Sequence, residues 1–190
     1  MQNIKNLTGG PAILHKLRER TRMGNDGNDS DNNNKSGIPA IMVGFGSETG
    51  TSEEIAKMIY TGCIERGFSS KVMCLDQVDL HKTSSSSSPP LLIIVTSSTG
   101  DGDPPSNAQK FWKRLENIQG LEDLCFTILG FGDSNYTRYQ NVPRTIKKQL
   151  LARGATFFYQ CREVDEVDGI DGIDDAVDEW IEGLWNVLNV

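Results

Sequence analysis

Apolar residues come in short bursts from position 38 onward, and the spacing within each burst predicts its element. Residues 38–45 (IPAIMVGF) read as a short apolar strand, with Pro39 at its first turn, where a missing N–H is tolerated. Residues 51–66 put Ile55, Ile59, Gly62 and Cys63 on one face, the helical period, and Gly67 is placed to end that helix. Residues 71–75 form a weaker strand. Residues 91–96 (LLIIVT) are continuously apolar, as a strand buried on both faces must be. Residues 107–115 predict a helix packed through Phe111, Trp112 and Leu115, and residues 126–131 another strand. A helix over 144–153 stops at Gly154, a last strand covers 156–159, and a last helix covers 174–188. Strands alternating with helices imply an α/β fold, with a mostly or wholly parallel sheet and helices on both faces.

Two stretches break this alternation. Residues 24–37 (GNDGNDSDNNNKSG) hold no apolar side chain and cannot offset their ordering entropy by burial. Residues 1–37 are therefore expected to be a disordered tail, and residues 38–190 the folded domain. Within the tail, residues 1–22 carry Lys5, Lys16, Arg18, Arg20 and Arg22 against Glu19. That composition fits a solvated tail or a mitochondrial presequence, and the solvated tail is the expectation. Residues 83–88 (TSSSSS), followed by Pro89 and Pro90, read as a surface loop between strands.

Composition removes whole classes of function. The chain has 190 residues and a formal net charge of −7, which argues against a nucleic-acid partner. No stretch reaches the roughly 20 apolar residues of a spanning helix. The cysteines, Cys63, Cys74, Cys125 and Cys161, show no CxxC spacing, and the histidines are His15 and His81 alone, so no metal site is expected. Thiols placed in core elements suit a reducing compartment, and the expected location is cytoplasmic.

Candidate chemistry sits where three strands end. In an open parallel sheet, ligands lie beyond the carboxyl ends of the strands. The first of these loops is Gly46-Ser47-Glu48-Thr49-Gly50-Thr51-Ser52, leading straight into a helix. Free N–H groups and the helix dipole make such a start an anion site, and four hydroxyls add donors. It lacks the Lys of a nucleoside-triphosphate loop, so it suits a phosphate monoester. The competing explanation is an ordinary capped helix, with Thr51 and Glu54 as a capping box. Glu48, Glu53 and Glu54 would have to point away from any anion. The second loop is Ser97-Ser98-Thr99-Gly100-Asp101-Gly102-Asp103-Pro104-Pro105, and the third runs Gly130-Phe131-Gly132-Asp133-Ser134-Asn135-Tyr136.

These three loops, in this order, resemble those of the flavodoxin-like FMN domains of the diflavin reductase family. The likeness covers about residues 41–186, and the closing stretch from Phe158-Tyr159 to Trp180-Ile181-Glu182-Gly183-Leu184-Trp185 is most similar to the methionine synthase reductase branch. The resemblance implies a flavodoxin-like doubly wound five-stranded parallel sheet in the order 2-1-3-4-5. It implies FMN as cofactor, and no catalytic acid or base. Ser47, Glu48, Thr49, Gly50, Thr51 and Ser52 would form the phosphate loop. Ser97, Ser98, Thr99 and Gly100 would line one side of the isoalloxazine ring. Phe131, Gly132, Asp133, Ser134, Asn135 and Tyr136 would line the other, with Tyr136 stacked on it. Asn141 falls near a flavin-loop asparagine of the family. An acid after the last strand tunes the ring in the family; Asp168 and Asp171 both fit, and Asp171 is the expected contact.

The sequence departs from the family in two ways. Thr99 stands where many members have a second aromatic, which leaves one flavin face less covered. The FAD- and NADPH-binding domains of the family fall outside these 190 residues. The expectation is thus a stand-alone one-electron carrier or part of a longer product. Its donor would be an FAD/NADPH-binding reductase domain or protein, and its acceptor a metal- or cobalamin-containing protein, with no nucleic acid or membrane involved. A flavodoxin-fold quinone reductase and a flavin-free interaction module are the alternatives. The last thirty residues hold Glu163, Asp165, Glu166, Asp168, Asp171, Asp174, Asp175, Asp178, Glu179 and Glu182 against Arg162. Such a rim either draws in a basic partner or is a plain solvated face.

Overall fold

The computed structural model describes residues 40–80 and 90–188. The expected tail over 1–37, the onset of the first strand, most of the serine-rich loop and the last two residues lie outside the described residues.

Five strands run side by side in the order expected. β1 (Ile41–Gly46) lies between β2 (Ser70–Cys74), at the edge, and β3 (Leu91–Ser97), at the centre. β4 (Cys125–Gly132) follows β3, and every pairing is parallel. Register is fixed by the period of two. Ile41, Val43, Phe45, Leu91, Ile93 and Val95 belong to the core on one face. Leu92, Ile94, Phe126 and Ile128 belong to the core on the other. A one-residue slip would exchange these sets, so both cores specify the pairing.

Helices cover both faces. α1 (Thr51–Glu65) and the C-terminal helix α4 (Gly169–Leu188) pack on the first core through Ile59, Cys63, Trp180 and Leu184. α2 (Gln109–Leu115) and α3 (Asn141–Ala152) pack on the second through Phe111, Ile146 and Leu150. α1 ends as the sequence predicts. Gly67 takes φ 78°, its N–H donates to Ile64 O, and the N–H of buried Phe68 donates to Cys63 O. That is a Schellman close. Among the described residues no helix is long and apolar enough to cross a membrane.

The expected last strand is split. β5 is only Thr156–Phe157, beside Cys125 and Phe126. A sixth strand, β6 (Arg162–Asp165), then pairs with Leu129 to Gly132 of the same β4. Tyr159 pulls the chain out of the sheet between them. Its ring lies 5.2 Å from that of Trp180, and its hydroxyl donates to Trp180 O at 2.9 Å. Gln160 O fills the gap by accepting from Thr127 Oγ1 and Trp180 Nε1. Helix starts also differ. α3 begins at Asn141 rather than 144, since Pro143 lies in the first turn, where it is tolerated. α4 begins at Gly169 rather than 174. Asp165 starts that turn by accepting from Val167 N at 3.2 Å, and a 3-10 turn (Glu166–Asp168) leads into the helix.

Candidate functional site

The three loops converge at the carboxyl edge of the sheet, around a cleft of about 370 Å³. That volume lies within the usual range for small-molecule sites.

The first loop is shaped by Ser47. Its N–H donates to Asn107 Oδ1 at 2.9 Å, and its hydroxyl accepts from Gly50 N at 3.0 Å. Ser47 thus closes the turn as an acceptor, which leaves its O–H available to donate. Gly50 sits at φ 110°, and a Cβ there would meet nothing within 4 Å. It is the cap of α1, with no side chain bonded to the helix start. The capping box of Thr51 and Glu54 does not form. The first amides of α1 therefore lack a side-chain acceptor, beside the hydroxyl residues Thr49, Thr51 and buried Ser52. Two of the three nearby carboxylates are engaged: Glu48 accepts from Ser106 N at 2.7 Å, and Glu53 pairs with Lys57 at 2.6 Å. Glu54 is exposed.

The second loop is a tight turn. Thr99 and Asp103 exchange backbone hydrogen bonds of 2.9 and 2.8 Å, and Thr99 Oγ1 also donates to Asp103 O. Ser97, Ser98, Thr99 and Gly100 all line the cleft. Ser98 does more than line it, since its hydroxyl accepts from Val142 N at the head of α3.

The third loop divides by role. Gly132, Asp133 and Tyr136 face the cleft, and Tyr136 is 57% exposed. Phe131 does not reach it: the side chain is buried in the core, and only its carbonyl meets the second loop, accepting from Ser98 N. Ser134 and Asn135 lie outside the lining. Ser134 N donates to Asp165 Oδ1 at 3.0 Å, and Asn135 N to Asp133 Oδ1 at 2.8 Å. Asn141 is also outside, donating instead to Gly102 O.

Besides Glu48 and Asp133, the acid lining the cleft is Glu166, from the segment after the last strand, whereas Asp171 lies exposed in the first turn of α4. Partial desolvation, with Asp133 and Asp165 nearby, pushes the Glu166 carboxyl above its ordinary value. Asp165 behaves oppositely. The Ser134 hydroxyl and the N–H groups of Ser134 and Val167 hold it low. Sequence reasoning also missed Arg138, Tyr139 and Gln140, all in the lining. The signal for Tyr139 was available: a second aromatic three residues after Tyr136, in the same polar loop. Burial pushes its hydroxyl above the usual phenol value, and the Gln140 side chain opposes that shift.

The donor set fits a flavin mononucleotide. Uncapped amides and hydroxyls without a cation suit its phosphate, and a cleft with two tyrosines suits a flat ring. Among the described residues no group of three His, Cys, Asp or Glu could hold a metal.

Comparison with known proteins agrees with this geometry. The profile of the Flavodoxin family matches residues 43–180. Methionine synthase reductase of Caenorhabditis elegans is 38% identical over 153 residues, covering 78% of this chain and 22% of that protein. NADPH-dependent diflavin oxidoreductase 1 of Mus musculus is 31% identical over 158 residues, covering 80% of this chain and 26% of that protein. The chain thus spans about a quarter or less of the length of these relatives. A flavodoxin of Streptococcus pneumonia TIGR4 shares the fold, with a TM-score of 0.62, 23% identity, and coverage of 76% of this chain and 97% of that one. With this strand order, these loops and a match over most of its length, the chain belongs to the flavodoxin family of FMN-binding domains.

Proposed function

We propose that this chain holds FMN across the three loops and serves as a one-electron transfer domain of diflavin reductase type. The observation that carries the reading is the convergence of an uncapped, hydroxyl-rich helix start and a tyrosine-lined cleft on one sheet edge. Thr49, Thr51 and Ser52 would bind the phosphate with the first amides of α1. Ser97, Ser98, Thr99 and Gly100 would line one side of the ring. Gly132, Asp133 and Tyr136 would line the other, with Tyr139 completing the aromatic wall. Bound FMN would supply the redox chemistry, relaying electrons one at a time. The protein's own part is to bind the ring, orient its exposed edge and limit water on its faces. Glu166, already disfavoured as an anion, would bias the site against further negative charge on the ring.

The donor would be an FAD/NADPH-binding reductase domain or protein, as in the relatives. The acceptor would be a metal- or cobalamin-containing protein, and the setting cytoplasmic. The test is reconstitution of the apoprotein with FMN, followed by Tyr136→Ala. Tight FMN binding with quenched flavin emission is expected, and the variant should brighten that emission, since a stacked tyrosine quenches by electron donation. Failure of the wild-type protein to bind FMN would overturn the reading, and unchanged emission in the variant would remove Tyr136 from the ring.

A further inference from the structure

Gln140 stands where the third loop becomes α3, and it combines three unusual properties. It is the one described residue other than glycine in the left-handed region, at φ 56°. It is a polar side chain with 0% exposure. Its Nε2 donates to two carbonyls at once, Gly130 O at 3.0 Å and Val164 O at 2.9 Å. Those carbonyls belong to β4 and β6, so one amide spans the two strands just past the point where the last strand has split.

The surroundings are built around this side chain. A Cβ on Gly130 would lie 2.6 Å from Gln140 Oε1, and one on Gly132 would lie 3.2 Å from Gln140 N. Bare glycines at both positions make the room. Oε1 itself is buried and has no hydrogen-bond partner. An orphaned buried acceptor and a left-handed backbone are both costly. Two costs at one residue point to a job at that residue. What lies on the other side of it is the cleft wall: Tyr139 is the preceding residue, and a Cβ on Gly132 would lie 3.3 Å from its ring.

We infer that Gln140 is a positioning residue, whose clamp between β4 and β6 fixes the wall of the cleft carried by residues 133–141. The ligand side of the inference rests on the FMN reading above; the clamp does not. A two-donor nitrogen at this reach is a property of glutamine. Methionine has nearly the same length and no donor. Glutamate has one donor when protonated and none when ionised, and burial raises its pKa by up to several units.

The experiment therefore uses Gln140→Glu and Gln140→Met at pH 6 and pH 9.5. Amide exchange of residues 133–141 is read in the apoprotein, FMN affinity in the reconstituted protein, and global stability by urea. Tyr139, Arg144, Glu163 and Asp165 interact beside the clamp, Asp133, Arg138 and Glu166 line the same cleft, and the wild-type protein at each pH is the reference for their titration. Relative to it, Q140E should exchange this segment and release FMN about tenfold faster at pH 9.5, and regain part of that loss at pH 6, where one of the two donors returns. Q140M should be loosened at both pH values. Equality of Q140E and wild type at pH 9.5 would overturn the clamp. An equal loss at both pH values would also overturn it, since it would show that packing alone matters. If the wild-type protein fails to bind FMN, the flavin reading falls by itself, and exchange in the apoprotein still decides the clamp.

Discussion

Asn141 Nδ2 donates to the carbonyl of Gly102 at 2.7 Å, so the first residue of α3 holds the tip of the second loop. With Ser98 accepting from Val142 N, this makes two cross-ties between the second loop and the same helix start. Asn141 is therefore a brace of the cleft and not part of its lining. Asn141→Ala should weaken FMN and riboflavin by the same factor, because the loop and not the phosphate is disturbed. Parallel titrations check this, and a loss confined to FMN would place Asn141 at the phosphate instead.

The first loop should show the opposite selectivity. Removing Thr49 and Thr51 together as Thr→Ala deletes two hydroxyl donors to a charged acceptor, worth about 1.5–3 kcal/mol each. FMN affinity should drop at least tenfold, while riboflavin, which lacks the phosphate, binds as before. Equal losses for both ligands would move the phosphate elsewhere. Ser47→Ala should also weaken FMN, since it removes the acceptor that closes the turn with Gly50 together with one hydroxyl donor of the loop.

Glu166 links the cleft to pH. Its carboxyl is raised in the fold by desolvation and by Asp133 and Asp165. An acid with a raised folded-state pKa binds more protons folded than unfolded, so stability falls as pH climbs through that interval. Glu166→Gln should unfold at higher urea than wild type at pH 7, and the gap should close below about pH 4, where both carboxyls are protonated. Urea melts across pH 4–8 read this directly. A variant less stable than wild type at pH 7 would show that the charge of Glu166 is favourable where it stands.

The exposed acids of α4 give a kinetic prediction. Asp174, Asp175 and Asp178 all lie on its solvent side. If they steer a basic donor, reduction should slow steeply with salt, as the Debye length falls from about 10 Å at 0.1 M to about 3 Å at 1 M. Neutralising the three should lower the association rate and flatten that dependence, with the flavin spectrum unchanged. Stopped-flow reduction by a diflavin-reductase FAD domain over a salt series is the measurement. A rate indifferent to salt would leave these acids as a solvated face.

Much of the scaffold was legible because burial writes a strong period. Leu91 to Val95 is apolar throughout since both faces of β3 are covered, and Gly67 marks a helix end that needs positive φ. The first two loops announced themselves by glycines and hydroxyls at strand ends. β6 was not legible: three of its four residues are charged, and only Val164 is buried. Glu166 was not singled out because the 3-10 turn that brings its carboxyl to the cleft before α4 begins leaves no period in the sequence, and Gly169 and Gly172 read as loop. Gln140 was illegible for another reason. A glutamine in a left-handed, fully buried position contradicts its usual habits, and only the two carbonyls it meets explain it.

The staple between Gln160 and Trp180 has a consequence for the order in which the domain is finished during synthesis. A nascent chain emerges from its N-terminus, and all three loops precede residue 142, so they leave the ribosome before α4 does. The rim that carries Glu166 follows a chain segment pinned by Trp180 Nε1, and the Tyr159 hydroxyl in turn rests on the Trp180 carbonyl. Until residue 180 has emerged and α4 has folded back, that rim lacks this anchor and is held through β6 alone, by its pairing with β4 and by Gln140. The three loops precede α4 in the sequence, yet the rim beside them gains its Trp180 anchor only when α4 packs, so the finished shape of the cleft waits for α4 to be made.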